Sequence, residues 1–405
     1  MLRRTRFVCI SDTHNASPDG SFKLPAGDVL IHAGDLTSRG KYTELRQTFD
    51  WISKAKFEVK IVVAGNHDIT LHQAFHHRHG AHHHGQQLQD DKACRKLPEE
   101  YPSITFLTHD AAEVKLLNPD GPRTSFNVFG SPYSPACGTW GYGYQPDEAS
   151  DLWSRIPPGS DVVVTHTPPK YHCDESKDQG PTGCEALRQA LWRVRPSLAV
   201  CGHVHEGRGV ERVVWDLESP DGDFQEDDVG YWVDPGAGNR KQCLVDLSSR
   251  TTRPLQSTNH AVEGEVPPQP AAVGTGKPAS PPVKCWTWKS ENRFPQSEQC
   301  SSPGNDAIMH RDKATVLDAG IGITHRPSCL QEEKQQPARL EGPDGISTSA
   351  RSDREALRGS LGRRETCVVN AAMMATGWPY KVVHGNKYNK PIVVDIDLPT
   401  WETFE

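Results

Sequence analysis

The sequence predicts a layered α/β fold, and three features of the chain carry that prediction. Short apolar runs rich in β-branched residues recur between residues 5 and 247, as expected of buried strands. Amphipathic helical patterns separate some of these runs. Several runs also stop abruptly at glycine and polar residues, and in open α/β sheets chemistry collects beyond the carboxyl ends of the strands. Strands that alternate with helices favour sheets covered by helices.

Three strands and one helix are predicted in the first part of the chain. The helix follows from Leu45, Phe49 and Ile52, which recur at i, i+4 and i+7 and therefore share one face. The predicted strands cover residues 5–10, 28–33 and 59–63. They end in Ser11-Asp12-Thr13-His14, Gly34-Asp35 and Gly65-Asn66-His67-Asp68.

Residues 72–98 have a different composition, with seven histidines between His72 and His84. Histidine-rich tracts can bind metal, but no spacing here defines a coordination geometry. The tract is therefore predicted to be a solvated loop or a ragged helix.

Short strands are predicted over residues 103–130, and an irregular loop follows them. Glycine and proline over residues 130–144 argue against regular structure there. The loop carries Tyr133, Trp140 and Tyr142, and loops hold a disproportionate share of binding residues. These rings either pack the loop onto the body of the protein or contact a substrate.

The pattern of polar strand ends continues further along the chain. Residues 161–165 form an apolar run that ends at His166, and residues 197–201 form another that ends in Gly202-His203-Val204-His205. A helix is predicted over residues 183–195, between these two strands. Residues 229–247 predict two more strands.

The composition changes after Ser249. Residues 250–365 are dominated by Pro, Ser, Gly, Gln, Glu and Arg, and they predict a disordered insert because they cannot bury enough apolar surface to offset the entropy of ordering. An artefact of the gene model, such as a retained intron, is the alternative. Apolar strand patterns return within residues 366–405, which are predicted to complete the domain formed by residues 1–249.

Composition excludes several classes of function. A net charge of −7 without a basic stripe argues against stable nucleic-acid binding. The apolar run after Arg4 is too short for a signal peptide or a membrane span, so no membrane association is expected. Eleven cysteines without CxxC pairs indicate neither a disulfide framework nor a zinc finger, and a reducing, cytoplasmic setting is the simplest interpretation.

The polar strand ends together have the composition of a metal site. Alternate residues of an extended chain share a face, so Asp-x-His and His-x-His can each converge on one point. The ends supply two carboxylates, one amide oxygen and four imidazoles, which are too many ligands for one ion but enough for two if Asp35 bridges them. The candidate ligands are Asp12, His14, Asp35, Asn66, His166, His203 and His205, and His67 is left over.

This set of motifs resembles the calcineurin-like metallophosphoesterases, most of all their small branch named for its metallophosphoesterase domain (MPPED type). The supporting stretches are residues 7–15, 28–36, 130–135, 165–169 and 202–207. The resemblance covers roughly residues 1–249 and 366–405. It implies a four-layer α-β-β-α sandwich with two mixed sheets and a pair of divalent ions (Mn, Fe, Zn or Mg) at the strand ends.

The resemblance also implies a role for each ligand. One ion would be held by Asp12, His14, Asp35 and His205. The other would be held by Asp35, Asn66, His166 and His203. His67 would be the acid near the leaving group, without binding a metal.

One position departs from the pattern of the protein phosphatases in this superfamily. Ser38 stands where they carry a second Asp that orients the catalytic histidine. Asp68 or a backbone carbonyl is left to orient His67. Arg39 falls at the place of a phosphate-contacting arginine and is a candidate clamp, with a solvated surface arginine as the alternative.

The resemblance implies a phosphohydrolase that acts on a small phosphoester. The leading prediction is a phosphodiesterase for small phosphodiesters such as cyclic nucleotides, which uses in-line attack by metal-bound hydroxide. Tyr133, Trp140 and Tyr142 could then stack on a base. The alternatives are a phosphomonoesterase acting on a phosphoprotein or small metabolite, and a non-catalytic scaffold on the same fold.

Overall fold

Two mixed β-sheets lie face to face in the computed structural model, and helices cover their outer faces. The structure describes residues 1–85, 88–217, 224–232, 242–248, 256–257, 363–375 and 388–401. The strands are β1 (Leu2–Ile10), β2 (Val29–Ala33), β3 (Val59–Val63), β4 (Thr105–Leu107), β5 (Asp110–Lys115), β6 (Ser125–Ser131), β7 (Ser134–Pro135), β8 (Gly143–Tyr144), β9 (Val162–Thr165), β10 (Glu175–Ser176), β11 (Gly180–Pro181), β12 (Leu198–Cys201), β13 (Gly209–Trp215), β14 (Glu226–Tyr231), β15 (Cys243–Asp246), β16 (Gln256–Ser257), β17 (Glu365–Asn370) and β18 (Ile392–Pro399). The helices are α1 (Tyr42–Lys54), α2 (Gln73–His84), α3 (Asp91–Lys96), α4 (Ala149–Ser154) and α5 (Glu185–Val194).

Both large sheets mix parallel and antiparallel neighbours. One has the order β15-β18-β1-β2-β3-β4, in which only the β1–β18 pair is antiparallel among the described strands. The other has the order β16-β14-β13-β17-β12-β9-β6-β5, with a parallel centre from β17 to β6. Parallel strands have their carboxyl ends at the same edge of the sheet. The polar residues that follow the central strands therefore lie at one edge of each sheet.

The burial pattern of the central strands produces four layers. Along β1, Phe7 and Cys9 pack into the core between the sheets, whereas Val8 and Ile10 pack towards the helices on the outer face. Helices α1 and α3 cover that face, and α4 and α5 cover the outer face of the other sheet. Strands buried on both faces must be apolar throughout, which explains the continuous apolar runs in the sequence. The predicted four-layer sandwich is confirmed.

The helix predicted from Leu45, Phe49 and Ile52 is α1, and these three side chains are fully buried. Glu44 supports its first turn by accepting a hydrogen bond from the backbone N–H of Lys41. The second predicted helix, over 183–195, is α5, which ends at Arg195 in a left-handed conformation.

The histidine-rich tract forms a helix, the second of its two predicted alternatives. This helix, α2, is regular although it has no apolar stripe. The prediction of irregular structure over residues 130–144 needs correction. Within residues 130–144, β7 and β8 pair despite Pro135. Proline is tolerated because the neighbouring N–H groups make the bonds: Ser134 donates to Tyr142 O and Ala136 donates to Tyr144 O.

The last two strands lie inside the sheets rather than at their edges. Strand β17 pairs with β12 and β13, and β18 pairs with β1 and β15. Residues 258–362, which make up most of the predicted disordered insert, lie outside the described residues. Strand β16 lies within the predicted insert, just before this range, and pairs with β14. The division into 1–249, 250–365 and 366–405 stays a prediction.

A buried charged network lies behind the second sheet. Burial lowers the pKa of His172, but hydrogen bonds from Nδ1 to Glu211 (2.8 Å) and from Nε2 to Glu226 (3.1 Å) outweigh burial and raise it to about 9. His172 is therefore an imidazolium at neutral pH.

None of the helices in the described ranges is long and apolar enough to cross a lipid bilayer.

Candidate metal centre

The polar ends of strands from both sheets meet at one edge of the sandwich. The N–H of Asp12, after β1, donates to Gly34 O after β2 at 2.9 Å. In the other sheet, the N–H of Gly202, after β12, donates to the carbonyl of His166, after β9, at 3.0 Å. These backbone bonds tie neighbouring strand ends together. The side chains that follow the strands are thus placed by the sheets.

One half of the centre contains Asp12, His14 and His205. A ligating atom of each lies within 4.8 Å of the others. The closest pair is Asp12 Oδ1 and His205 Nε2, at 3.2 Å. A carboxylate and two imidazoles at this separation can share one cation.

The other half contains Asn66, His166 and His203. The amide oxygen of Asn66 lies 2.8 Å from His166 Nε2 and 2.9 Å from His203 Nδ1. Three potential ligand atoms from three different loops therefore converge on a second point.

Asp35 lies between the two halves. Its Oδ2 is 3.6 Å from His14 Nε2, and its Oδ1 is 3.4 Å from His166 Nε2. Each carboxylate oxygen thus faces a different half of the centre. This is the placement that a bridging ligand requires.

Backbone carbonyls fix the tautomers of two of the histidines. Nδ1 of His14 lies 3.2 Å from Thr37 O, and Nδ1 of His166 lies 2.9 Å from Ala33 O. Because a carbonyl only accepts hydrogen bonds, Nδ1 carries the proton in both rings. The lone pair of Nε2 is then directed at the carboxylates, as in metal-binding histidines whose other nitrogen donates to the protein.

The pKa shifts at the centre favour neutral imidazoles at His14 and His203 and ionised carboxylates at Asp12 and Asp35. Burial lowers the pKa of His14 to about 4 and that of His203 to about 3, since a charged imidazole is poorly solvated there. Burial would raise the pKa values of Asp12 and Asp35, but the neighbouring histidines outweigh it and lower both. Neutral imidazoles beside ionised carboxylates are the forms that bind divalent cations.

The residues present fit a pair of divalent ions. Nε2 of His14 is buried and has no hydrogen-bond partner among the described residues, which is costly for a polar atom unless a ligand satisfies it. The donor set of imidazole, carboxylate and amide oxygen suits Mn, Fe or Zn, and its oxygen atoms also suit Mg.

Four of the ligand positions have strained backbones. Asp12, His14, Asp35 and His203 have φ angles of 52°, 42°, 52° and 66°. Left-handed backbone is uncommon for residues other than glycine, and such strain clusters at functional sites. Asp12, Asp35 and His203 each lie two residues beyond the end of a strand, and His14 lies four residues beyond β1.

Two motif glycines allow the backbone to approach the carboxylates. A Cβ atom on Gly65 would lie 2.3 Å from Asp35 Oδ1, and one on Gly202 would lie 2.2 Å from Asp12 Oδ2. Any larger residue at either position would displace a candidate ligand.

A backbone carbonyl orients His67. Its Nδ1 donates to Ser38 O at 2.9 Å, and its Nε2 lies 3.9 Å from Asp35 Oδ2. Of the two predicted alternatives, Asp68 and a carbonyl, the carbonyl makes the contact. In this protein the carbonyl of Ser38 therefore orients His67, the role expected for a second Asp at this position in the protein phosphatases.

Asp68 instead braces the loops that carry the ligands. Its carboxylate accepts hydrogen bonds from the N–H groups of Leu36, Thr37 and Gly65, and from the Thr37 hydroxyl at 2.6 Å. The loop after β2 and the loop after β3 are therefore held to each other by one fully buried side chain.

Of the predicted substrate contacts, Trp140 lies at the centre, where its ring stacks on His67 with a centroid distance of 3.8 Å. Tyr142 is 6% exposed and stacks on His72, and Tyr133 is half-buried. Arg39 is exposed. Substrate contact by these four residues stays a prediction.

The sequence pattern did not single out Asn370, which supports the His203–His205 loop. Its Nδ2 donates to Cys173 O at 2.9 Å and to Val204 O at 2.8 Å. The clue was present, since Asn370 is a polar residue at the end of an apolar strand, like the ligands themselves. Asn370 is far along the chain from His203 and His205, so the sequence alone did not link it to their loop.

Comparisons with known proteins agree with this geometry. The family model of the calcineurin-like phosphoesterases matches residues 5–207. Probable rhamnogalacturonate lyase C of Emericella nidulans is 41% identical over 214 residues, which are 52% of this chain and 18% of that protein. Human metallophosphoesterase domain-containing protein 1 is 37% identical over 214 residues, which are 51% of this chain and 62% of that protein.

The chain therefore spans less than two thirds of the length of either relative. A purple acid phosphatase from yellow lupin seeds aligns with 54% of this chain and 40% of its own, at 14% identity and a TM-score of 0.31. The family model covers just over half of the chain, and the predicted MPPED-type resemblance is confirmed by the human relative. The chain belongs to the calcineurin-like phosphoesterase family.

Proposed function

We propose that this protein is a metal-dependent phosphohydrolase that prefers small phosphodiesters such as cyclic nucleotides. One observation carries the proposal: the Asp35 carboxylate lies between two groups of imidazoles, and an uncommitted imidazole nitrogen of His67 faces it at 3.9 Å. A site for cations and a candidate proton donor are therefore adjacent. Family membership supports the same class of chemistry.

Seven side chains would hold the two ions. Asp35 would contact both, and the others would divide into Asp12, His14 and His205 on one side and Asn66, His166 and His203 on the other. When bound, the ions would supply Lewis-acid chemistry, which lowers the pKa of water and neutralises charge on phosphoryl oxygens.

His67 is suited to protonate the leaving group. Its Nδ1 proton is committed to Ser38 O, so a proton for the departing alkoxide would have to be carried on Nε2. Donation therefore requires the imidazolium form of His67, and it leaves the neutral Nδ1–H form with its bond to Ser38 O intact. Stacking on Trp140 restricts rotation of the ring. The two contacts together direct Nε2 towards the carboxylate cluster.

Uncharged residues beside the centre support a diester over a monoester. They line a cavity of only about 10 Å³, so a substrate would lie at its mouth rather than inside it. Asn66, Ser134, Cys137 and Trp140 contribute to the lining, and the residues that line the cavity in the described part of the chain include no lysine or arginine. A phosphomonoester dianion carries more negative charge than a diester, so its binding would be strengthened more by lysine or arginine side chains. The neutral lining therefore fits the less charged substrate better.

Two synthetic substrates and two variants test the proposal. The purified protein, supplied in turn with Mn, Fe, Zn or Mg, should cleave bis-p-nitrophenyl phosphate faster than p-nitrophenyl phosphate. Asp35→Asn should lose bound metal and lower turnover by about 10²–10³-fold, as expected for removal of a charge-stabilising group. His67→Ala should keep its metal and lose about 10²-fold or more in kcat for a diester with a basic leaving group, such as diphenyl phosphate.

The control is Asp151→Asn, which changes an exposed carboxylate on α4. Faster cleavage of the monoester would favour the phosphomonoesterase alternative. A metal-loaded protein that cleaves neither substrate would favour the scaffold. Full activity in Asp35→Asn would refute the role of Asp35 between two ions.

A further inference from the structure

The last turn of helix α2 is hydrogen-bonded to two different loops. Nε2 of His83 donates to the carbonyl of Thr139 at 2.6 Å, and Nε2 of His84 donates to the carbonyl of Arg39 at 2.8 Å. Consecutive histidines point in different directions from a helix, so one turn can hold two segments at once.

Both of these loops contact the His67 ring. Ser38, next to Arg39, accepts the Nδ1 proton of His67, and Trp140, next to Thr139, stacks on its face. The contact with the ring edge and the contact with the ring face thus both lie one residue from a histidine anchor.

His83 also touches Trp140 directly. The two ring centroids are 4.8 Å apart, with an interplanar angle of 46°. Trp140 is therefore in contact with a histidine of α2 as well as with His67. On the other side of Trp140 the loop is held by the N–H of Gly141, which donates to Asn66 O at 2.9 Å, so His83 supplies a second attachment.

Helix α2 is itself attached to the body of the protein through histidines. His72, at its start, stacks on the buried ring of Tyr142 at a centroid distance of 4.6 Å. His76 is 1% exposed and packs against Gly80, where a Cβ atom would lie 2.7 Å from the imidazole. These contacts explain how a helix without an apolar stripe keeps a fixed position.

We propose that His83 and His84 are positioning residues for His67, and that the histidine-rich helix serves to hold the two loops that orient this imidazole. The inference rests on the proposed function, in which His67 protonates the leaving group. Asp68 already holds Thr37, and the two histidines add a further attachment one residue from Ser38 and one residue from Trp140. Without them the direction of Nε2 of His67 would be held less firmly. A displacement of about 1 Å in a reacting group can cost about 10²-fold in rate.

A kinetic test depends on the basicity of the leaving group. A poorly aligned acid slows the departure of a basic leaving group, whereas p-nitrophenolate leaves without a proton. His83→Ala and the double variant His83→Ala/His84→Ala should lower kcat for diphenyl phosphate about tenfold more than for bis-p-nitrophenyl phosphate. KM and bound metal should stay unchanged. His83→Gln keeps an N–H donor for Thr139 O and should restore part of the loss.

A second readout needs neither metal nor activity. In the metal-free protein, long-range ¹H–¹⁵N correlation spectra of the imidazoles report the tautomer of His67, with His67→Ala identifying its signals. The wild type should show the Nδ1–H form, as the bond to Ser38 O requires. The double variant should shift towards the Nε2–H form. His82→Ala changes an exposed residue of the same turn and should behave as the wild type.

An unchanged His67 tautomer in the double variant would overturn the proposal, as would equal losses of kcat with both diesters. If the tautomer shifts while the wild-type protein cleaves no phosphoester, the positioning role stands and the proposed function fails. The two failures are therefore distinguishable.

Discussion

Replacing Asn370 should weaken both the fold and the metal centre. The residue is fully buried at the end of β17, and its amide joins the loop around Cys173 to the loop that carries His203 and His205. Asn370→Ala removes two donated hydrogen bonds and the bond that its Oδ1 accepts from the N–H of Ala372 at 3.1 Å.

The size of the effect follows from the partners left behind. Val204 O still accepts a hydrogen bond from the N–H of Gly207, so losing the Asn370 donor costs little at this carbonyl. An unsatisfied buried polar group costs about 1–3 kcal/mol, so the two groups left at Cys173 and Ala372 give a total of about 2–6 kcal/mol. For a domain of this size that lowers the melting temperature by about 5–25 °C. Metal affinity should fall about 10–100-fold, because Val204 lies between two ligands.

Thermal unfolding and metal titration of the purified variants measure both effects. Asn127→Ala is the matched control, because Asn127 is exposed and its amide makes one long bond of 3.4 Å to Gly159 O. Asn370→Asp should be at least as destabilising as Asn370→Ala, since an oxygen would then face two carbonyls. If Asn370→Ala shifts the melting temperature and the metal affinity no more than Asn127→Ala does, the reasoning about this amide is wrong.

Two further predictions concern stability. The pKa of His172 is raised from 6.5 to about 9 in the fold, so its contribution to stability is present below pH 6.5 and is lost as the pH rises through about 9. The urea midpoint should fall over this range, and His172→Gln should remove that part of the fall. Gly202→Ala should abolish metal binding and lower the melting temperature, because its Cβ would lie 2.2 Å from the Asp12 carboxylate. Gly159→Ala, with no atom within 4 Å of its Cβ, should change neither.

The sequence was most informative where a residue type and its position together indicate one structural role. A β-branched run predicts a buried strand, and a ligand directly after it is positioned by the sheet itself. Asp12, Asp35 and His166 could therefore be assigned to one edge before their distances were known. The same reasoning located the helix of Leu45 and Phe49, since its apolar face is repeated at the helical period.

The sequence was least informative where a backbone group, rather than a side chain, makes the contact. The acceptor that orients His67 is the carbonyl of Ser38, and every residue type has a carbonyl. The sequence could not decide between a loop and a helix for α2, because this helix packs through imidazoles rather than through an apolar stripe. Trp140 could be placed in a loop but not against His67, because loop conformation depends on turns such as the β7–β8 pair that local sequence does not specify.

The strained ligand positions explain why the centre needs two well-packed sheets. Left-handed backbone at a non-glycine residue costs about 1–3 kcal/mol, and Asp12, His14, Asp35 and His203 all adopt it. Two buried carboxylates add mutual repulsion. Attraction among the ligands cannot supply this free energy, so it must come from burial of the strands that precede them. Because the strands place the ligands, little ordering is left for cation binding, and this preorganisation favours the affinity for cations.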